Sequence, residues 1–168
     1  MAAFCRKIFF ITLLCFACAH VHAQSIPNLD IIKLDHAPDF KAAEPFALQT
    51  SIYLLTTPFD KENKDRVKGL QFLIRWMSGT PDHSFIIDNV ESKVAKGDDD
   101  ILSLYLAALT RYTLENKDAA KDNKTLTLHA VILLLDYCEN KANNIKMPKQ
   151  LKKLSEARTR GELEKALQ

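Results

Sequence analysis

Apolar positions along this chain recur mostly at three- and four-residue intervals, the spacing of helices that each bury one side. From Gln24 to about Ala42, Pro27 and Pro38 break the pattern, which predicts a loosely attached arm with one short turn around Leu29 to Leu34. Glu44-Pro45 opens a helix carrying Phe46, Leu48, Ile52, Tyr53 and Leu55, and Pro58 stops it. The next helix runs from about Lys61 to Ser78, capped by Asp60 and ended at Gly79. Its core face is read as Val67, Leu70, Leu73, Ile74 and Met77. Phe72 and Trp76 lie four apart on the opposite side, beside Gly69 and between Lys68 and Arg75.

Only Ser84 to Ile87 reads as a short extended stretch, and a brief helix from Asp88 to Lys96 follows it, ended by Gly97. Asp98-Asp99-Asp100 then suit the N-terminal dipole of an apolar helix from Ile101 to about Glu115. Leu102, Tyr105, Leu106, Ala108, Leu109 and Tyr112 wrap most of it, which makes it central. Its expected partner, Thr125 to Asn140, carries a wide apolar arc from Leu126 to Cys138 and a polar stripe of Thr125, His129, Asp136, Glu139 and Asn140. After an Asn143-Asn144 turn, Pro148 opens a basic helix, and Thr159 with Glu162 has the spacing of a capping box for a last short one. The fold expected is an all-α single helical bundle of five to seven helices, with residues 43–168 as its domain and 24–42 as the arm.

The first 23 residues follow a different rule. Arg6 and Lys7 precede a nearly all-apolar run from Ile8 to Ala19, and Val21-His22-Ala23 places small residues before a cut, the layout of a secretory signal peptide cleaved after Ala23. A run of about a dozen residues is short of the roughly 20 that a membrane span needs. Lipidation at Cys18 is disfavoured, because Cys15 and Phe16 fit a lipoprotein signal badly. The expectation is export to the periplasm or the extracellular space, with no transmembrane span in the remaining chain.

Removing the leader changes the charge. The full chain has 23 Lys and Arg against 21 Asp and Glu, and the loss of Arg6 and Lys7 leaves 21 against 21. The dominating positive charge of a nucleic-acid binder is therefore missing. Three of the four cysteines, Cys5, Cys15 and Cys18, leave with the leader. Cys138 remains alone among leucines, which reads as a buried small hydrophobe and not as a nucleophile.

The candidate chemistry is thin. His129 and Asp136 share a face but stand two turns, about 11 Å, apart. A small exported hydrolase would have to assemble His83, Ser84, His129 or Asp136 from different helices, and no nucleophile elbow or zinc helix supports it. No His/Cys spacing resembles a metal site, and the three consecutive aspartates lack the alternation of a calcium loop, so no cofactor or metal is expected. Two surfaces stand out instead: the Phe72/Trp76 pair, and a C-terminal region with eight basic residues against three acids from Lys141 onward, where Lys149, Lys152 and Lys153 cluster. If the aromatic pair is covered within the chain, Ile31, Ile32 and Phe40 of the arm are the candidate lid. The favoured function is a non-enzymatic binding or assembly module with a protein or glycan partner in the cell envelope.

Three stretches carry a resemblance: Phe72-Leu-Ile-Arg-Trp-Met, Gly97-Asp-Asp-Asp-Ile-Leu-Ser-Leu-Tyr-Leu-Ala-Ala-Leu-Thr-Arg-Tyr and Asn143-Asn-Ile-Lys-Met-Pro-Lys-Gln-Leu-Lys-Lys-Leu. They resemble small exported uncharacterised helical proteins of Bacteroidota. The resemblance implies a Gram-negative exported helical domain, and it implies no activity, ligand or site residue.

Overall fold

The computed structural model describes residues 26–85, 87 and 92–168. The leader and Cys18 lie outside the described residues, as do Ile86 and residues 88–91 of the stretch read as extended and then helical. The described chain is all-α: α1 (Ala37–Thr56), α2 (Lys64–Gly79), α3 (Asp99–Glu115), α4 (Asn123–Glu139), α5 (Lys149–Thr159) and α6 (Leu163–Leu167), with one-turn helices at Leu29–Ile31, Ala119–Lys121 and Lys141–Asn143 and a helical turn at 92–94. No strand occurs among the described residues.

The expected central pair is in place. Asp98 accepts from the N–H groups of Asp100 and Ile101, both at 3.2 Å, which fixes the start of α3. Ile101, Leu104, Tyr105, Ala107, Ala108 and Leu109 are all buried, and the two alanines let neighbouring helices approach closely. α1 and α4 make the largest packings on α3, and α2 lies mainly against α1. Asp122 caps α4, whose Ala130, Val131, Leu134 and Leu135 are fully buried.

α1 begins at Ala37, seven residues before the start expected at Glu44. Pro38 sits in its first turn, and the Asp39 carboxylate accepts from the N–H groups of Asp35 and His36 at 3.1 and 2.9 Å. These contacts hold the Asp39 carboxyl below its ordinary range. Pro45 therefore lies inside the helix, where a missing N–H is normally costly. Ala43, Glu44 and Ala47 around it are buried, so packing holds the helix on both sides of the proline. The chain before α1 is docked: Leu34 is buried, Ile26 and Ile32 pack on the core, and Asp30 pairs with Lys68 of α2 at 3.0 Å.

α2 is turned partly away from the sequence expectation: Leu73 is buried and Met77 packs on the core as expected, but the rest of the expected face does not. Phe72 and Trp76 are buried with Leu73, Gly69 and Arg66, while Val67 and Ile74 are 45% and 44% exposed. The cause is Gly69: a Cβ there would stand 2.9 Å from Ile26 Cδ1 and 3.0 Å from Thr50 Cγ2, so this is the side on which α1 and the chain before it press closest. Phe72 and Trp76, three and seven residues on, share that side. Trp76 donates its indole N–H to the Phe40 carbonyl at 2.9 Å and packs near His83 and Phe85. Of the lid residues proposed from sequence, Phe40 covers it and Ile31, 72% exposed, does not.

α5 docks through Leu151, Leu154 and Ala157. Arg158 bridges Asp136, at 2.6 Å, and Glu139 on α4, and Gln150 donates to the Ala95 carbonyl at 2.9 Å. The capping box of Thr159 and Glu162 does not form. α5 still includes Thr159, whose hydroxyl donates back to Ser155, and Gly161 at φ +71° makes the break before α6.

Candidate functional site

Three chain segments meet at one end of the bundle. Pro58 ends α1 and leaves Thr57-Pro58-Phe59 turning toward α2. Arg66, on the buried face of α2 and 6% exposed, fastens that turn: one guanidinium nitrogen donates to the Thr57 carbonyl and hydroxyl at 3.2 and 2.8 Å, the other to the Leu54 carbonyl at 3.1 Å. The guanidinium plane lies 5.2 Å from the Phe59 ring centroid. The Tyr137 hydroxyl donates to the same Thr57 carbonyl at 2.8 Å. Phe59 N–H donates to the Asn143 carbonyl at 2.7 Å, and the Asn143 side chain donates to the Tyr137 carbonyl at 2.8 Å. This network locks the end of α1 to the end of α4.

Asn144, at φ +52°, then swings the chain back so that 145–148 crosses toward α3 before Pro148 opens α5. Between this crossing, the 58–61 turn and the start of α3 runs a groove of about 1260 Å³. Phe59, Ile101, Ile145 and Met147 supply its apolar surface, and Lys146, Lys149 and Lys152 supply charge. Beside it is a smaller, mostly apolar pocket of about 220 Å³ lined by Leu54, Phe59, Arg66, Val67, Leu70 and Leu104. Phe59, Asp60, Lys61 and Asp100 belong to both.

The two signs of charge in the groove are used differently. Asp98 caps α3, Asp100 pairs with Lys61 at 2.6 Å, and Asp60 accepts from the Glu62 N–H at 2.9 Å. The bond to Asp100 raises Lys61 above the ordinary lysine range. Lys146, Lys149 and Lys152 are exposed and make no ion pair among the described residues. Asp60 and Asp98 meet N–H groups and no cation, so both lysines and carboxylates of the groove stand outside ion pairs among the described residues.

A second polar centre lies along α1. Glu44, 7% exposed, accepts from Lys117 at 2.6 Å, contacts His83 Nε2 at 3.2 Å and pairs with Lys41 at 3.3 Å. Burial raises its carboxyl, but the bonds from Lys117, His83 and Lys41 outweigh burial and leave it below the usual carboxylate range. Glu44 is the hydrogen-bond partner of the His83 ring, so the pair clamps the 83–85 stretch to α1.

The residues named from sequence divide accordingly. Lys149 and Lys152 come together in the groove, whereas Lys153 lines a separate cleft of about 530 Å³ with Lys93, Lys96 and Arg160. Phe72 and Trp76 are core residues, which removes the aromatic pair from the surface. His83 is held by Glu44, Ser84 is exposed, His129 stacks on Tyr112 at 4.6 Å and Asp136 pairs with Arg158, so these four form no joint site. Cys138 is buried and its thiol is pushed up to about 12, chiefly by burial. No group of three or more potential metal ligands gathers among the described residues. Arg66, Phe59 and Met147 were missed from sequence. A lone arginine beside Gly69 is the one local sign that Arg66 faces inward. No family model, no curated protein and no solved structure matches this chain.

Proposed function

We propose that the chain is an exported, non-enzymatic binding or assembly module of the Gram-negative cell envelope, and that its working surface is the groove at the 57–61 turn. The observation that carries this reading is the pairing of a large, mixed apolar and polar groove with three lysines that make no ion pair among the described residues, on walls fixed by hydrogen bonds. A preorganised wall lowers the ordering cost of binding. Export is supported by the leader pattern of Arg6, Lys7, Ile8 to Ala19 and Val21-His22-Ala23. No helix among the described residues is long and apolar enough to cross a membrane. The balanced charge left after the leader argues against nucleic acid, and a protein or glycan of the envelope is the expected partner.

A hydrolase using His83, Ser84, His129 or Asp136 has less support, because each has a different neighbour and no acid–base–nucleophile set is present in those contacts. The test is affinity capture from the native envelope fraction by the wild-type chain, a Lys149→Gln/Lys152→Gln variant and a Lys153→Gln variant. Retention of one specific partner by wild type and Lys153→Gln, with loss in the double variant, is the expected outcome. Retention of nothing, or of the same material by all three, would count against the reading.

A further inference from the structure

The cleft that takes Lys153 has a charge balance unlike that of the groove. It holds about 530 Å³ and gathers Lys93 and Lys96 from the turn after residue 92 with Lys153 and Arg160 from α5 and its end. Its described lining contains one carboxylate, Glu156. Arg160 also pairs through Nε with Glu162 at 2.8 Å, so four cations meet two carboxylates, and that pair is exposed on both sides and screened by solvent. Lys93 donates to the neutral Leu167 carbonyl at 3.0 Å, which fixes its amino group and leaves its charge. Lys96 and Lys153 make no ion pair among the described residues. The backbone adds an independent sign. Lys96 stands at φ +49°, in the left-handed region, just before Gly97 at φ +81°. Glycine adopts that conformation freely, whereas a lysine there carries a steric penalty. Gln150 of α5 donates to the Ala95 carbonyl at 2.9 Å and pins this turn beside the cleft. Backbone strain and like-charge repulsion are thus held in one place, a combination that a bound anion relieves.

We infer that this cleft binds a phosphate group, carried by a small soluble phosphate or by a lipid headgroup. A phosphate monoester is compact, carries about two negative charges at neutral pH and offers three strong acceptor oxygens. Several amino groups and a guanidinium can share those oxygens, each through a charge-assisted hydrogen bond. A lone carboxylate would satisfy fewer of the converging donors. The cleft shares no lining residue with the groove, so this site stands whether or not the groove has a partner.

Two measurements on the protein expressed from its full reading sequence test this. Melting is followed in sodium phosphate against sodium chloride at matched ionic strength, and cosedimentation is measured with phosphatidylcholine vesicles that contain or lack phosphatidic acid. The expected result is a melting temperature raised by phosphate beyond chloride, retention by the phosphatidic acid vesicles, or both. The first alone identifies a soluble phosphate as the source, the second alone a lipid headgroup. Lys96→Gly removes the amino group and suits the left-handed backbone, so in chloride it should melt at or above the wild-type temperature. It should nevertheless bind about tenfold more weakly, the worth of one hydrogen bond to a charged group. Lys153→Gln should weaken binding about tenfold as well, and Lys149→Gln/Lys152→Gln should leave it unchanged. No advantage of phosphate over chloride together with no retention by phosphatidic acid would overturn the inference. So would undiminished binding by Lys96→Gly and Lys153→Gln, or an equal loss in the groove variant. Capture of an acidic protein through Lys96 and Lys153 with no effect of phosphate in either measurement would overturn the assignment of phosphate.

Discussion

Near the start of α1, a buried carboxylate gathers two lysines and a histidine; just beyond its end, a buried guanidinium has no group of opposite charge among the described residues. Glu44 and Arg66 are almost equally buried, at 7% and 6% exposed, yet they are satisfied in opposite ways. Glu44 draws Lys117, His83 and Lys41 from three parts of the chain, and its charge is neutralised. Arg66 donates to two carbonyls and a hydroxyl and faces an aromatic ring, with no carboxylate partner among the described residues. Neutral acceptors satisfy its N–H groups but leave its charge uncompensated, beside a pocket and a groove that carry both lysines and carboxylates outside ion pairs among the described residues. The Glu44 centre closes the molecule; the Arg66 centre holds a surface open. Both are costly to break, because removing one member of a buried polar set strands the rest.

The largest effect should come from removing the indole that packs against the Glu44 centre. Trp76→Ala deletes a fully buried ring and its hydrogen bond to Phe40, and should cost about 3–5 kcal/mol in denaturant unfolding. A cost below about 1 kcal/mol would show that α2 does not bury that face. Next, Arg66→Met should cost about 3 kcal/mol, the scale of two or more hydrogen bonds to a charged donor. It should also raise amide exchange in residues 57–63, while exchange around Glu44 stays as in wild type. Since guanidinium does not titrate, that cost should be the same at pH 4 and pH 7.

Glu44→Gln sharpens the contrast, with an expected cost of about 1–3 kcal/mol at neutral pH. Its folded-state carboxyl lies below the ordinary value, so its stabilisation is fully present above the unfolded pKa, about 4.3, and is lost as pH falls through the lower folded value. The gap between wild type and Glu44→Gln should therefore narrow below about pH 4, in denaturation midpoints taken across a pH series. A gap that widened on acidification would show that the Glu44 carboxyl is raised instead. The smallest stability effect belongs to Lys149→Gln/Lys152→Gln, within about 0.5 kcal/mol, because both are exposed and unpaired. The same substitutions should give the largest loss of partner.

The sequence reads well where a helix is specified by its own neighbours. Asp98 before Ile101, the apolar sweep of Leu126 to Cys138 and Pro148 before Lys149 are local signals, and α3, α4 and α5 lie where they point. Pro45 misleads because a proline at a first turn and one inside a helix look alike until Pro38 and the Asp39 cap are weighed together. α2 misleads because it has two apolar faces of helical period. Val67, Leu70, Leu73, Ile74 and Met77 form the more regular one, of which Leu73 and Met77 do meet the core, and what turns the helix toward Phe72 and Trp76 is Gly69 meeting Ile26 and Thr50 from elsewhere in the chain. In the site, the cluster of Lys149 and Lys152 is visible in sequence. Arg66, Phe59 and Met147 are not, because their meeting depends on three distant turns converging.

The most direct test places a photo-crosslinking residue at each of two exposed positions in cells that make the protein: Lys146 on the groove, and Asp82 beside the Glu44 centre. The account predicts a discrete crosslinked partner at Lys146, lost when Lys149 and Lys152 are both glutamine, and none at Asp82. A partner captured at Asp82 and not at Lys146 would contradict it, and would make the Glu44 centre the working end of the molecule.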